Sequence, residues 1–186
     1  MAPVMIISAK QTLLALAAVA CVGCATTDQP ATPGLQVFKD DYDGATIARQ
    51  QPVISGGVAG DWNALGFEWR SKFPNKVMLN AGTRGVVKIT EVRLEIDGEE
   101  AGVKLASEVT DYGVPSAAER WSMRRFEMSW VDFERMAAAR TVRMKIIGAN
   151  EILVTSFGSA QPGAPINDAL SSFFLTVRKL RGEEAH

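Results

Sequence analysis

FEMSWVDFERMAAARTVRMKII, residues 126–147, holds both kinds of secondary structure in one short run. Phe126 and Met128 alternate with Arg125 and Glu127, the period-two pattern of a half-buried strand. Ser129 stands three positions before Asp132, a Ser-x-x-acid arrangement whose hydroxyl can serve a free N–H in the first turn of a helix. The spacing then predicts a short helix over Trp130–Arg140 that buries Phe133, Met136 and Ala137. Val142, Met144 and Ile146 alternate with Arg143 and Lys145, so the chain returns to strand.

The pattern continues on both sides. Leu65, Phe67 and Trp69 alternate with Gly66, Glu68 and Arg70, and Val77, Leu79 and Ala81 repeat the period. Val87 and Ile89 share one parity whereas Val92, Leu94 and Ile96 share the other. A one-residue slip would turn half the strand inside out, so a bulge is expected near Thr90-Glu91. Asp97-Gly98 supplies a hairpin turn, with Val103, Leu105, Ser107 and Val109 as the expected return strand. Asp111 to Glu119, with Gly113, Pro115 and Ser116, reads as a loop. Downstream, Gly148-Ala149-Asn150 turns the chain and Ile152 to Phe157 returns. After Pro162, Gly163 and Pro165, the residues Ile166, Leu170, Phe173, Phe174, Val177 and Leu180 recur at helical spacing. The prediction is an α+β fold: an antiparallel sheet or two packed sheets of about seven to nine strands. A short helix lies near 130–140 and a C-terminal helix near 166–181, all within one domain over residues 35–186.

The start of the chain is different in kind. Lys10 precedes the apolar run Leu13-Leu14-Ala15-Leu16-Ala17-Ala18-Val19-Ala20-Cys21-Val22, which meets Gly23-Cys24. A membrane-crossing helix needs about 20 apolar residues, roughly twice this length. A short apolar run after a cation and before small residues fits a cleaved leader. The junction Cys21-Val22-Gly23-Cys24 resembles the lipobox of bacterial lipoproteins. That resemblance implies removal of residues 1–23 and lipid modification of Cys24 as the first mature residue. Cys21, with Ala18, Val19 and Ala20 before it, is the alternative. Translation from Met5 instead of Met1 would leave a more compact leader. The resemblance also implies several acyl chains, enough for stable anchoring, and, with Ala25 where some lipoproteins carry a retention Asp, the outer rather than the inner membrane. The domain would face the periplasm. Residues 24–34, small, polar and proline-containing, read as a tether; ten extended residues reach at most about 35 Å.

Without residues 1–23 the chain keeps 163 of its 186 residues, with 19 Lys and Arg against 21 Asp and Glu. Nucleic acid as a partner would be marked by a basic stripe, which this balance does not supply. A mature chain starting at Cys24 has no free thiol for disulfide, nucleophilic or metal chemistry. Its one histidine, His186, sits at the end of the sequence, a poor position for a general base or a zinc ligand.

Other constellations fail on spacing. Asp40-Asp41-Tyr42-Asp43-Gly44 lacks the fifth and twelfth ligands of a calcium loop and reads as an acidic turn. Gly56-Gly57-Val58-Ala59-Gly60 is followed by Asp61-Trp62 instead of Gly-Lys-Ser/Thr, so it is a loop and not a phosphate cradle. Glu99-Glu100 and Glu183-Glu184 fall at a turn and a tail. Trp62 and Trp121, in or beside loops, are the candidates for exposed binding contacts. No metal site, cofactor or catalytic residue is assigned. The expected function is a non-catalytic interaction or structural module, held to a membrane by its lipid anchor, with a protein partner in the envelope. The alternative is a binding module for a small apolar, lipid or glycan ligand between sheet and helices, and an enzyme is the remote third.

Overall fold

Phe126 and Met128 point into the core of the last long strand, and the chain passes from that strand straight into a helix. The computed structural model describes residues 34–56, 62–116 and 119–183. In chain order these form β1 (Leu35–Lys39), β2 (Thr46–Gly56), β3 (Trp62–Arg70), β4 (Lys76–Arg84), β5 (Ile89–Ile96), β6 (Glu99–Glu100), β7 (Val103–Leu105), β8 (Asp111–Ser116), β9 (Glu119–Ser129), α1 (Trp130–Ala138), β10 (Val142–Gly148), β11 (Ile152–Phe157) and α2 (Pro165–Leu180). A seven-stranded sheet runs β1-β2-β3-β4-β9-β7, with β8 also pairing β9. A four-stranded sheet runs β11-β10-β5-β6. The fold is α+β with two packed antiparallel sheets. The eleven strands exceed the expected seven to nine by the two shortest, β6 and β7.

Ser129 caps α1 as its spacing predicts: Asp132 N–H donates to Ser129 Oγ at 3.0 Å. The helix ends at Ala138, two residues before the expected Arg140, because Ala139 takes an extended conformation. Trp130, Phe133 and Met136 are buried, whereas Ala137 is only half-buried. α2 opens with Pro165, whose missing N–H costs nothing in a first turn. Its Ile166, Ala169, Leu170, Phe173 and Val177 are buried. Phe67 of β3 meets Phe133 of α1 at 5.3 Å and Phe173 of α2 at 5.5 Å, and the two helix rings are themselves 5.5 Å apart. These rings, both helices and the inner face of the small sheet belong to one apolar cluster.

The parity switch in β5 is a bulge. Ile147 pairs with Glu91 and Gly148 with Ile89, which leaves Thr90 without a partner in β10. Its hydroxyl donates to Ile147 O at 3.0 Å. Ile89, Val92, Leu94 and Ile96 therefore all face the core. A second bulge, which the alternation did not reveal, lies in β2. Gln50 pairs with Phe67 and Val53 with Leu65, so Gln51 and Pro52 together oppose Gly66. A Cβ on Gly66 would lie 2.8 Å from Gln50 O, and only glycine fits beneath that crossing.

Two expectations are corrected. Asp97 (φ 49°) and Gly98 (φ 89°) make the expected turn, but the return strand pairs with β5 through Glu99 and Glu100 and ends with Ala101 N–H donating to Leu94 O at 2.8 Å. The chain then crosses to the large sheet, where Val103 pairs with Met128 and Leu105 with Phe126. Ser107 Oγ bonds back to Val109 N and O in a local turn, so the alternating pattern of residues 103–109 reflects no extended hairpin. Of the expected Asp111–Glu119 loop, Glu119 already belongs to β9, and Asp111–Ser116 is instead β8, paired with β9. Its register shifts between Gly113 and Ser116, and a proline is tolerated in such an irregular edge strand.

Phe133→Ala should lower unfolding free energy by about 3–5 kcal/mol, and Ser129→Ala by about 1 kcal/mol. Urea titrations followed by far-ultraviolet circular dichroism read both. A Phe133→Ala cost no larger than that of the cap would show that the rings do not hold the helices.

Candidate functional site

Both helices and the small sheet share the apolar cluster with the core-facing parity of β3, β4 and β9: Leu65, Phe67, Trp69, Val77, Leu79, Ala81, Phe126 and Met128. Residues of the other parity form the outer face of the large sheet. Trp62 and Trp121 both belong to it. Asn63 pairs with Thr83 and Arg84 with Trp121, so the two indoles stand in the terminal row on either side of Arg84. Two strand spacings separate their backbones by about 9–10 Å. Each is half-buried. The structure thus brings together the two candidate contact residues, which lie 59 positions apart in the sequence. In the next row Ile54 pairs with Ala64, and Gly82 with Met123.

The middle and far rows of this face are ionic. A groove of about 290 Å³ is lined by Glu68, Arg70, Phe73, Lys76, Met78, Arg125 and Glu127. Arg49 lies 2.8 Å from Glu68, and Lys76 is 2.9 Å from Glu127. Phe73, in the β3–β4 loop, is 58 % exposed beside them. Sequence reasoning passed over this groove. Its signal was present in the charged residues of one parity in β3 and β9, but register alone sets them side by side.

The acidic segment after β1 is a closed turn. Gly44 N–H donates to Asp40 O at 2.8 Å, Tyr42 N–H to Asp40 Oδ1 at 3.0 Å, and Ala45 N–H to Asp43 Oδ1 at 2.9 Å. Asp40 pairs with Arg70, while Asp43 lies 3.1 Å from Lys72 and 3.8 Å from Arg70. These carboxylates face cations and N–H groups. Among the described residues no cluster of His, Cys, Asp or Glu could hold a metal ion. The Ala45 N–H, then Lys72, hold the Asp43 carboxyl below its ordinary range. On the small sheet, the Glu91 carboxylate raises the already high value of Arg93.

A row of polar side chains faces inward behind the tryptophans. Ser55, Asn63, Thr83 and Ser122 follow one another across β2, β3, β4 and β9. Ser55 shares a 2.5 Å hydrogen bond with Thr155 of the small sheet. Ser122 Oγ donates to Gly85 O at 2.8 Å and accepts from Val87 N–H at 2.7 Å. Arg124, almost fully buried, donates to Ser107 O at 2.9 Å and to Ile89 O. The alternation continues here with polar groups in place of apolar ones, and Ser55, Ser122 and Arg124 among them are hydrogen-bonded.

Cys21 and Cys24 lie outside the described residues, as do Gly57–Gly60 and His186. Glu99 meets Arg135 at 2.6 Å in an exposed ion pair.

Because the folded state lowers the Asp43 pKa, its contribution is complete above the ordinary aspartate range and fades as pH falls through the lowered value. The stability difference between the native chain and Asp43→Asn should be constant near neutrality and shrink below about pH 4. Urea midpoints from pH 7 to about pH 3 test this. A difference that grows on acidification would reverse the assignment.

No protein-family model matches the chain, and no curated protein is significantly similar to it.

Proposed function

We propose that this chain is a lipid-anchored envelope lipoprotein whose folded part works by contact, as a non-catalytic interaction or structural module. The observation that carries the reading is the short apolar run Leu13–Val22 meeting Gly23-Cys24, with a small polar segment after it. Acyl chains on Cys24 provide attachment to the membrane, and Ala25 favours the outer one. Among the described residues no helix is long and apolar enough to cross a membrane.

The geometry supports contact in two ways. The outer face of the large sheet offers a protein partner in the envelope an ionic groove with Phe73 at its rim. Paired charges around an aromatic side chain suit recognition of another protein surface. The space between sheet and helices is meanwhile filled by Phe67, Phe133, Phe173 and Trp130. That packing favours contact over the alternative, a small apolar, lipid or glycan ligand held between those layers. Scarce catalytic residue types favour contact over catalysis, since the only histidine is His186 and the only cysteines are Cys21 and Cys24.

Cys24→Ser should move the protein from membrane to soluble fractions and abolish labelling by a fatty-acid probe. Labelling that survives in Cys24→Ser but disappears in Cys21→Ser would transfer the anchor to Cys21. Retention of both membrane association and labelling in the double variant would refute the lipoprotein reading.

A further inference from the structure

One end of the two-sheet body collects exposed apolar side chains. Ile54, Val86, Tyr112 and Ile152 are each 52–64 % exposed, and the half-buried Trp62 and Trp121 share that end. The register places them together. Gly56 pairs with Trp62 and Arg84 with Trp121 in the terminal row, and Tyr112 pairs with Ser122 one step inward. Val86 is fixed between Gly85, whose N–H donates to Arg120 O at 2.7 Å, and Val87, bonded to Ser122. A side chain at Gly148 would collide with Val87, which brings in the β10–β11 turn and Ile152 beyond it. The opposite end is mixed: its β1–β2 turn carries Asp40, Asp41 and Asp43 around the exposed Tyr42, and its β3–β4 loop carries the exposed Phe73 among charged neighbours.

The tether limits what can meet the apolar end. Read backwards, β1 runs along β2 toward Gly56, and Gln51 N–H donates to Gly34 O at 2.9 Å. β2 continues five residues beyond Gln51, about 17 Å. Residues 24–33 span at most about 35 Å. If Cys24 is the anchor, about 18 Å of slack remains between this end and the lipid. A small folded domain is about 30 Å across and does not fit that gap. Trp and Tyr, with apolar bodies and one polar tip, suit the boundary of headgroups and acyl chains. The described charges nearby, Arg84, Lys88 and Arg120 against Asp111 and Glu151, are close to balance, so the contact is chiefly apolar.

We infer that this end, whose described residues include Trp62, Trp121, Val86 and Ile152, rests in the interfacial layer of the bilayer to which the chain is tethered. The inference depends on the lipoprotein reading. The full lipidated chain is reconstituted in phosphatidylethanolamine–phosphatidylglycerol vesicles whose acyl chains carry bromine near the headgroup. Tryptophan emission should be quenched, and Trp62→Phe/Trp121→Phe should lose that quenching, because the remaining Trp69 and Trp130 are 2 % and 4 % exposed. Val86→Cys carrying a polarity-sensitive dye should shift to the blue on reconstitution, and Tyr42→Cys, at the acidic turn, should not. A chain that floats with vesicles but shows neither effect overturns the docking inference and leaves the anchor standing. A chain that does not float removes both. A blue shift at Tyr42→Cys alone would invert the orientation. Shielding of Val86→Cys from a water-soluble maleimide in cell envelopes, but not in pure vesicles, would assign this end to a protein and overturn the inference.

Discussion

Three phenylalanines hold the layers together. Phe67 comes from the middle of the large sheet, Phe133 from the helix that follows its longest ladder, and Phe173 from the last helix. Each ring touches the other two at 5.3–5.5 Å, two of the contacts edge-on. Such contacts add about 0.5–1.5 kcal/mol each beyond the burial of the rings. Because the three residues are far apart in sequence, the cluster closes long loops and forms only when sheet and helices are both in place. Trp130 extends it by stacking on Phe133 and Phe174, and Arg181 covers the indole at 4.6 Å.

Placing both helices on the face already used by the small sheet determines the rest of the surface. Among the described residues the helices and the small sheet pack on one side of the large sheet, and its other side carries charged and polar groups. In β3, Leu65, Phe67 and Trp69 face inward, whereas Ala64, Gly66, Glu68 and Arg70 face outward, the first three buried and Arg70 half-exposed. The outward residues are small where β2 bulges across Gly66 and charged where the groove opens. Inside, the apolar layer gives way toward the tryptophan end to Ser55, Asn63, Thr83 and Ser122. Hydroxyls and Arg124 tie the two sheets there. Asn63 Oδ1 alone in that row is buried without a hydrogen-bond partner among the described residues.

Local pattern carried the elements that local physics determines. The Ser129 cap, the α2 stripe and the Thr90 bulge were all legible, because each is a conflict or agreement of periods within a dozen residues. The stretch after Gly98 was not. Its alternation resembled a return strand, yet the chain leaves β5 after two paired residues and adds β7 to the other sheet. Which sheet a strand joins is settled by long-range pairing, and period two is silent on that choice. Asp111–Ser116 was hidden for the opposite reason: Gly113 and Pro115 give a loop signal, but an irregular edge strand accepts both. Trp62 and Trp121 could be chosen individually as aromatics near loops. Their shared row, with Arg84 between them, exists only through the β3–β4 and β4–β9 registers. The ionic groove was invisible for the same reason.

The two ends of the body are therefore unlike in origin as well as in chemistry. At one end the sheet closes through a short turn whose carboxylates are paired: Asp40 and Asp43 draw in Arg70, Lys72 and the turn's own N–H groups. That closure leaves the backbone of the turn self-sufficient, so Tyr42 can stand 98 % exposed on it without weakening the core. At the other end the strands of the large sheet run past the apolar cluster, and their inward positions turn polar while their outward positions turn aromatic. An inward row of hydroxyls adds little hydrophobic stabilisation, and outward indoles only half-buried add less than they would in a core. The arrangement becomes economical when a water–lipid boundary lies beyond that row, because the indoles then complete their burial outside the protein.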